Sequence, residues 1–199
     1  MQNLSNDELF HFALDANKNE RHDTAIGYLK QLIENVPDHE QGLFLLGAEY
    51  AQVGLFSEAI KYMEKTIELG TTLTAANFQL GLLYMATEEY DNAQESWKTI
   101  QQEGENDYIY IFSQALIHLV NNQEEKAKSL LAEGIELNKD NTALNNDMKN
   151  VLNSIGKINM FPFQQPKEKN VNLAEENVQE EEDDNSTNQL FLSAYQTTH

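Results

Sequence analysis

The sequence predicts an all-α fold, a solenoid of stacked helix pairs, and three observations predict it. Alanine recurs at Ala25, Ala59, Ala93 and Ala127, each 34 residues from the next. Phenylalanine keeps the same interval at Phe10, Phe44, Phe78 and Phe112. Gly47 and Gly81 are again 34 apart, as are Tyr50 and Tyr84. Several residue types sharing one period mark repeated structural units, here 6–39, 40–73, 74–107 and 108–141 without insertion.

Each unit reads as two helices. The first opens with Ser5 and Glu8, the pattern of a capping box, and ends near Pro37. In the second, EQGLFLLGAEYAQVG sets Leu43, Leu46, Gly47 and Tyr50 at helical spacing. Gly54 suits a left-handed helix terminus. Ser57 is then the expected N-cap of a helix carrying Ala59, Ile60, Met63 and Ile67, which Gly70 stops. The third unit repeats this with Leu80, Gly81 and Tyr84, then Ala93, Trp97 and Ile100, closed by Gly104. In the fourth, YIYIF has the composition of a strand, but its phase within the repeat makes it helical.

A stack of pairs leaves its last apolar face bare, so it needs a lid with a polar outer side. Residues 141–155 fit: Ala143, Leu144, Met148, Val151, Leu152 and Ile155 form one stripe, with Asn and Lys opposite and Gly156 as the stop. The domain expected is therefore 1–156. Residues 157–199 change character. INMFPFQQPKEKN holds two of the chain's three prolines, and NVQEEEDDNST is polar and acidic. Residues 157–189 are expected to be disordered, because they bury too little apolar surface to offset ordering entropy. MFPF is also suited to packing on the lid helix. The chain then ends in a cluster of large apolar side chains, Leu190, Phe191, Leu192 and Tyr195.

These repeats resemble the tetratricopeptide repeat family over residues 6–141. The second unit supplies the pattern's Leu46-Gly47, Tyr50 and Ala59, and the third Leu80-Gly81, Tyr84, Ala93 and Trp97. The first keeps Ala25 and Pro37 but has Ala13 in place of glycine. The fourth keeps Ala127 but has Ala115 and His118 where glycine and tyrosine would stand. The resemblance implies a right-handed α-solenoid whose first helices line a concave face, with the fifth and ninth positions of each unit pointing into it. These are Phe10, Leu14, Phe44, Ala48, Phe78, Leu82, Phe112 and Leu116; the twelfth position adds Met85 and Leu119. Family members that grip a terminal carboxylate use Lys, Asn and Arg in the groove, and none stands at the fifth or ninth position here. The same phenylalanines also read as core packed between neighbouring helices.

Composition narrows the function. Acidic residues outnumber basic ones 33 to 13, a net charge of −20 that repels phosphate backbones and argues against nucleic acid. The absence of cysteine removes thiol chemistry and zinc–thiolate sites. His11, His22, His39, His118 and His199 form no metal-binding motif, and no nucleophile motif or phosphate-binding glycine loop occurs, so neither an enzyme nor a cofactor is expected. With no secretory signal and no apolar run of about 20 residues, the expected location is the cytoplasm, without membrane insertion. The expected function is that of an adaptor or scaffold binding an apolar peptide or helix of a protein partner in the concave groove. The apolar tail cluster reads either as a cover for that groove, as bait for another protein, or as an unstructured terminus. The alternative is a dedicated chaperone for one client; small acidic chaperones with these repeats serve type III secretion, although they usually have three.

Overall fold

The computed structural model describes residues 4–70, 74–102 and 107–156. Its helices are α1 (Asn6–Lys18), α2 (His22–Asn35), α3 (Glu40–Gln52), α4 (Phe56–Glu68), α5 (Thr74–Ala86), α6 (Tyr90–Lys98), α7 (Tyr108–Val120), α8 (Glu124–Leu137) and α9 (Thr142–Ser154). First helices start at 6, 40, 74, 108 and 142, and second helices at 22, 56, 90 and 124, so both series step by 34. YIYIF opens α7 and is helical. α9 enters in the phase of a further first helix.

The turn inside each pair is built by one repeated device. Glu20, Gly54, Glu88 and Asn122 have φ of 54, 76, 65 and 57°, one left-handed residue every 34. Across each, a backbone N–H reaches back five residues: Arg21 to Ala16, Leu55 to Tyr50, Glu89 to Tyr84 and Gln123 to His118, at 2.7–2.9 Å. This bond satisfies a carbonyl at the end of the first helix and delivers the chain directly into the second. The N-caps of the second helices are accordingly Arg21, Leu55, Glu89 and Gln123, none with a side-chain capping bond. Ser57, expected as a cap, lies inside the first turn of α4. Glu124 and Glu125 likewise lie in the first turn of α8. Gly104 lies outside the described residues.

Side-chain caps belong to the first helices instead. Ser5 and Glu8 close a capping box on α1. His39 accepts from Gly42 N–H at 3.0 Å, Asp107 from Tyr110, and Asn141 from Leu144, at positions 34 apart or multiples of it.

Packing separates two layers. α4 buries only Phe56, Ala59, Met63 and Thr66, a stripe on one side. α3 buries all eleven residues from Gly42 to Gln52, around its whole circumference. α5 is nearly as enclosed. The first helices therefore form the inner layer. Close approach to the outer layer depends on small residues. A Cβ placed on Gly81 would sit 2.1 Å from Trp97 Nε1. The indole lies flat on that glycine, is fully buried, and donates to the Phe78 carbonyl at 3.1 Å. The units are joined by α2 against α3, α4 against α5 and α6 against α7. Tyr84 on α5 donates to Glu64 on α4 at 2.6 Å. At the far end α9 packs on α8, where Asn138, Asn141 and Asn145 bond side chain to backbone across the connection, including Asn145 Nδ2 to the Asn138 carbonyl at 2.8 Å.

Candidate functional site: the concave face

On a helix, successive residues turn by about 100°, and the contacts of α3 fix its orientation. Gly47 faces Met63 and Ala59 of α4, while Gly42 faces Leu32 and Ile33 of α2. The side turned away from both carries Phe44, Ala48 and Gln52, spaced i, i+4 and i+8. The same phase gives Phe78, Leu82 and Ala86 on α5, and Phe112, Leu116 and Val120 on α7.

The residues expected to line this face fall into three groups. Phe10 and Leu14, on the terminal unit, are half-buried; the Phe10 ring lies 5.2 Å from that of His39. Phe44, Ala48, Phe78, Leu82, Met85, Leu116 and Leu119 are buried. Phe112 is also buried, and it does not serve the concave face: its ring is seated against Gly134 of α8, whose added Cβ would lie 2.4 Å from Phe112 Cε1. Gly134 explains this turn. The three residues at its phase in the earlier units are Leu32, Thr66 and Ile100, and only glycine leaves room for a ring. The ladder positions are closed from water from the second unit to the fourth. Leu190, Phe191, Leu192 and Tyr195, and the linker before them, lie outside the described residues.

The apolar stripe ends at α9. Its fifth, ninth and twelfth positions are Asn146, Asn150 and Asn153, all exposed.

Buried polar side chains interrupt the inner layer, and sequence reading did not single them out. Glu49 is fully buried; its carboxylate accepts from Asn17 Nδ2 at the end of α1 and sits 2.9 Å from His22 Nδ1 at the start of α2. This cluster ties the first unit to the second, since a buried carboxylate is tolerated only when paired. Gln52, one turn along, is 5% exposed, and its Nε2 has no hydrogen-bond partner. Gln79 is also buried. The signal was available in the repeat: Glu49 aligns with Leu83 and Ile117, and Gln52 with Ala86 and Val120, so each is polar where the later units are apolar.

Tyrosines mark the boundary between layers. Burial, and then the hydrogen bond to Glu64, hold the Tyr84 hydroxyl well above the usual tyrosine range. Burial also raises Tyr50 and Tyr90. Among the described residues no group of three acidic, histidine or cysteine side chains is placed to hold a metal ion, and no helix is long and apolar enough to cross a membrane.

The paired helices and the 34-residue step agree with the match of residues 40–69 and 74–98 to the family model for the tetratricopeptide repeat. Over those residues the chain carries tetratricopeptide repeats. Solved structures share the fold. "MamA RS-1 ArsTM double mutant" superposes with a TM-score of 0.59 at 14% identity, over 78% of this chain and 86% of that one. "MamA 41-end from Desulfovibrio magneticus RS-1" gives 0.58 at 15% identity, over 75% and 88%. At such identities the likeness is one of fold alone. No curated protein matches the chain. Tetratricopeptide repeats are protein-binding elements, and a repeat scaffold for protein–protein interaction is what this architecture supports.

Proposed function

We propose that the chain is a cytoplasmic interaction scaffold, with no catalytic role, whose concave helices seat an apolar segment, and that its own C-terminal residues 190–195 occupy that seat until a partner displaces them. On this reading residues 1–156 are the binding domain and 157–199 carry the occupant. The observation that carries it is the all-round burial of α3 and α5. They pack on α2, α4 and α6, and α5 also meets α7, while Phe44, Ala48, Leu82 and Met85, on the side turned away from the outer helices, are buried as well. A face of this composition, left open, would exceed the few hundred Å² of apolar patch that a monomer normally exposes.

The tail has the reach and the chemistry. Residues 157–189 give a tether of 33 residues, whose root-mean-square span as a free chain is on the order of 30 Å. That places the end of the tail near the face at a local concentration of about millimolar. Leu190, Phe191, Leu192 and Tyr195 match an apolar seat that presents no lysine or arginine.

The test uses the full-length chain with Leu190, Phe191, Leu192 and Tyr195 all replaced by serine. A fluorescent peptide of residues 187–199 is titrated into it and into the parent, with anisotropy as the readout. The variant is expected to bind the peptide, and the parent to bind it many times more weakly because its own tail competes. Equal binding by both, or binding by neither, contradicts the reading.

A further inference from the structure

The two ends of the described solenoid differ. α9 buries Leu144, Met148 and Val151 and packs on α8, while its other side carries Asn146, Lys149, Asn150 and Asn153, all exposed. That end presents a polar surface. At the other end, the phase of the repeat identifies the side of α1 that corresponds to a junction between units. On α3, Gly42 meets Leu32 and Ile33 of α2, and Glu49 reaches Asn17 and His22, so the line through residues 42, 46 and 49 faces the preceding unit. Leu46 on that line, and Leu80 one period later, are buried. The same line on α1 carries Glu8, Phe12 and Asp15. Phe12 is 43% exposed, the most exposed aromatic side chain among the described residues. Its ring lies 5.5 Å from that of Tyr28 on α2. An aromatic pair thus stands open to water at a phase that the later units bury in a helix junction.

We propose that this end face is the contact of a two-fold dimer, in which α1 and α2 of one copy pack on α2 and α1 of a second. Charge selects the occupant. Two copies of a chain with 33 acidic and 13 basic residues repel each other, so they can meet only where charge is absent or already neutralised. Thr24, Gln31 and Asn35 share the side of α2 that carries Tyr28, at helical spacings of four, three and seven, and all three are uncharged and exposed. On α1 the two acids are held locally: the Glu8 carboxylate accepts from Ser5 N–H at 2.8 Å, and Asp15 pairs with Arg21 at 2.6 Å. Aromatic centre and polar rim are the usual anatomy of an interface. A two-fold axis sets Phe12 and Tyr28 against the second copy's Tyr28 and Phe12, so that ring meets ring. Head-to-tail stacking would instead set Phe12 against the asparagines and lysine of α9, so association closes at two copies. The two helices, of 13 and 14 residues, are each about 20 Å long and about 10 Å wide. A footprint of that size belongs to a reversible dimer rather than an obligate one. The concave face takes no part, so this inference is independent of the seated tail.

The experiment is analytical ultracentrifugation of the full-length chain over a concentration series. The weight-average mass of the parent is expected to climb from one copy toward two and to stop there. Phe12→Ser is expected to weaken the dimer by about thirtyfold or more, the loss on truncating an aromatic hot spot. Gln31→Glu sets like charges across the axis without filling buried space; it is expected to weaken the dimer too, and added salt to restore part of the loss. Unfolding midpoints confirm that both variants fold. Because the chain has no cysteine of its own, single cysteines report the geometry. Mild oxidation is expected to link Gln31→Cys into disulfide dimers and to leave Asn150→Cys, on the lid, unlinked. A parent that stays monomeric at every concentration refutes the second copy as occupant. Growth past two copies, or linking of Asn150→Cys as readily as Gln31→Cys, refutes the two-fold contact. A dimer that both Phe12→Ser and Gln31→Glu leave unchanged refutes the assignment of this face.

Discussion

Replacing Gly81 with alanine tests the packing of the inner layer on the outer one. The added methyl would sit 2.1 Å from Trp97 Nε1, 2.4 Å from Cε2 and 2.6 Å from Cδ1. Ordinary contact needs about 3.5 Å, so the indole must retreat by more than an ångström. It is fully buried and has no room to do so. Retreat also stretches the 3.1 Å bond from Nε1 to the Phe78 carbonyl. Overpacking costs about 1–3 kcal/mol, and an unpaired buried N–H about 1–3 more. Against this, alanine is better than glycine inside a helix by about 0.8–1 kcal/mol. The net loss expected is about 2–4 kcal/mol. Gly47→Ala is the control: its methyl would meet the flexible Met63 side chain at 3.1 and 3.2 Å and the Ala59 carbonyl at 3.3 Å. There the helix gain and a small shift nearly cancel. Trp97 is the only tryptophan of the chain, so urea unfolding followed by its fluorescence reads both variants directly. Equal midpoints for Gly81→Ala and the parent, or a larger loss for Gly47→Ala, would refute the reasoning.

Gly134→Ala, whose methyl would strike the Phe112 ring at 2.4 Å, is expected to cost about 1–3 kcal/mol, and Phe112→Leu in the same chain should recover most of it in urea titrations. Glu49→Ala leaves Asn17 and His22 without their acceptor and should cost about 1–3 kcal/mol, with amide exchange rising chiefly in α1 and α2. Glu49→Leu should recover part of this, because apolar side chains stand at that phase in later units. Tyr84 has a raised folded pKa, so its contribution is complete below the unfolded value of about 10 and is lost as pH rises past it, where only the unfolded chain ionises. Tyr84→Phe should therefore be less stable than the parent at pH 7, and the gap should narrow above pH 10 in paired urea midpoints.

Much of the fold was legible because the repeat imposes it. The interval shared by Ala59, Gly47 and Tyr50 with their counterparts placed the helices, and phase overrode the strand-like composition of YIYIF. What was hidden depended on neighbours. Nothing local marks Glu20, Glu88 or Asn122 as left-handed, since that conformation is enforced by the turn that joins two packed helices. Ser57 looks like a cap in isolation, yet the same turn makes Leu55 the first residue of the helix boundary. At the concave face the positions were readable but not their exposure. Phe112 turned inward because Gly134, 22 residues on, left a space. Gln52 and Glu49 would have stood out had the units been compared for polar residues at apolar phases rather than for shared ones.

The central claim is that the concave face seats the apolar end of this chain. The direct measurement is backbone 15N relaxation of Leu190, Phe191, Leu192 and Tyr195 in the full-length protein. A seated segment predicts order parameters approaching those of the helices, about 0.85, while values below about 0.6 at all four residues, the range of a free terminus, would contradict the account.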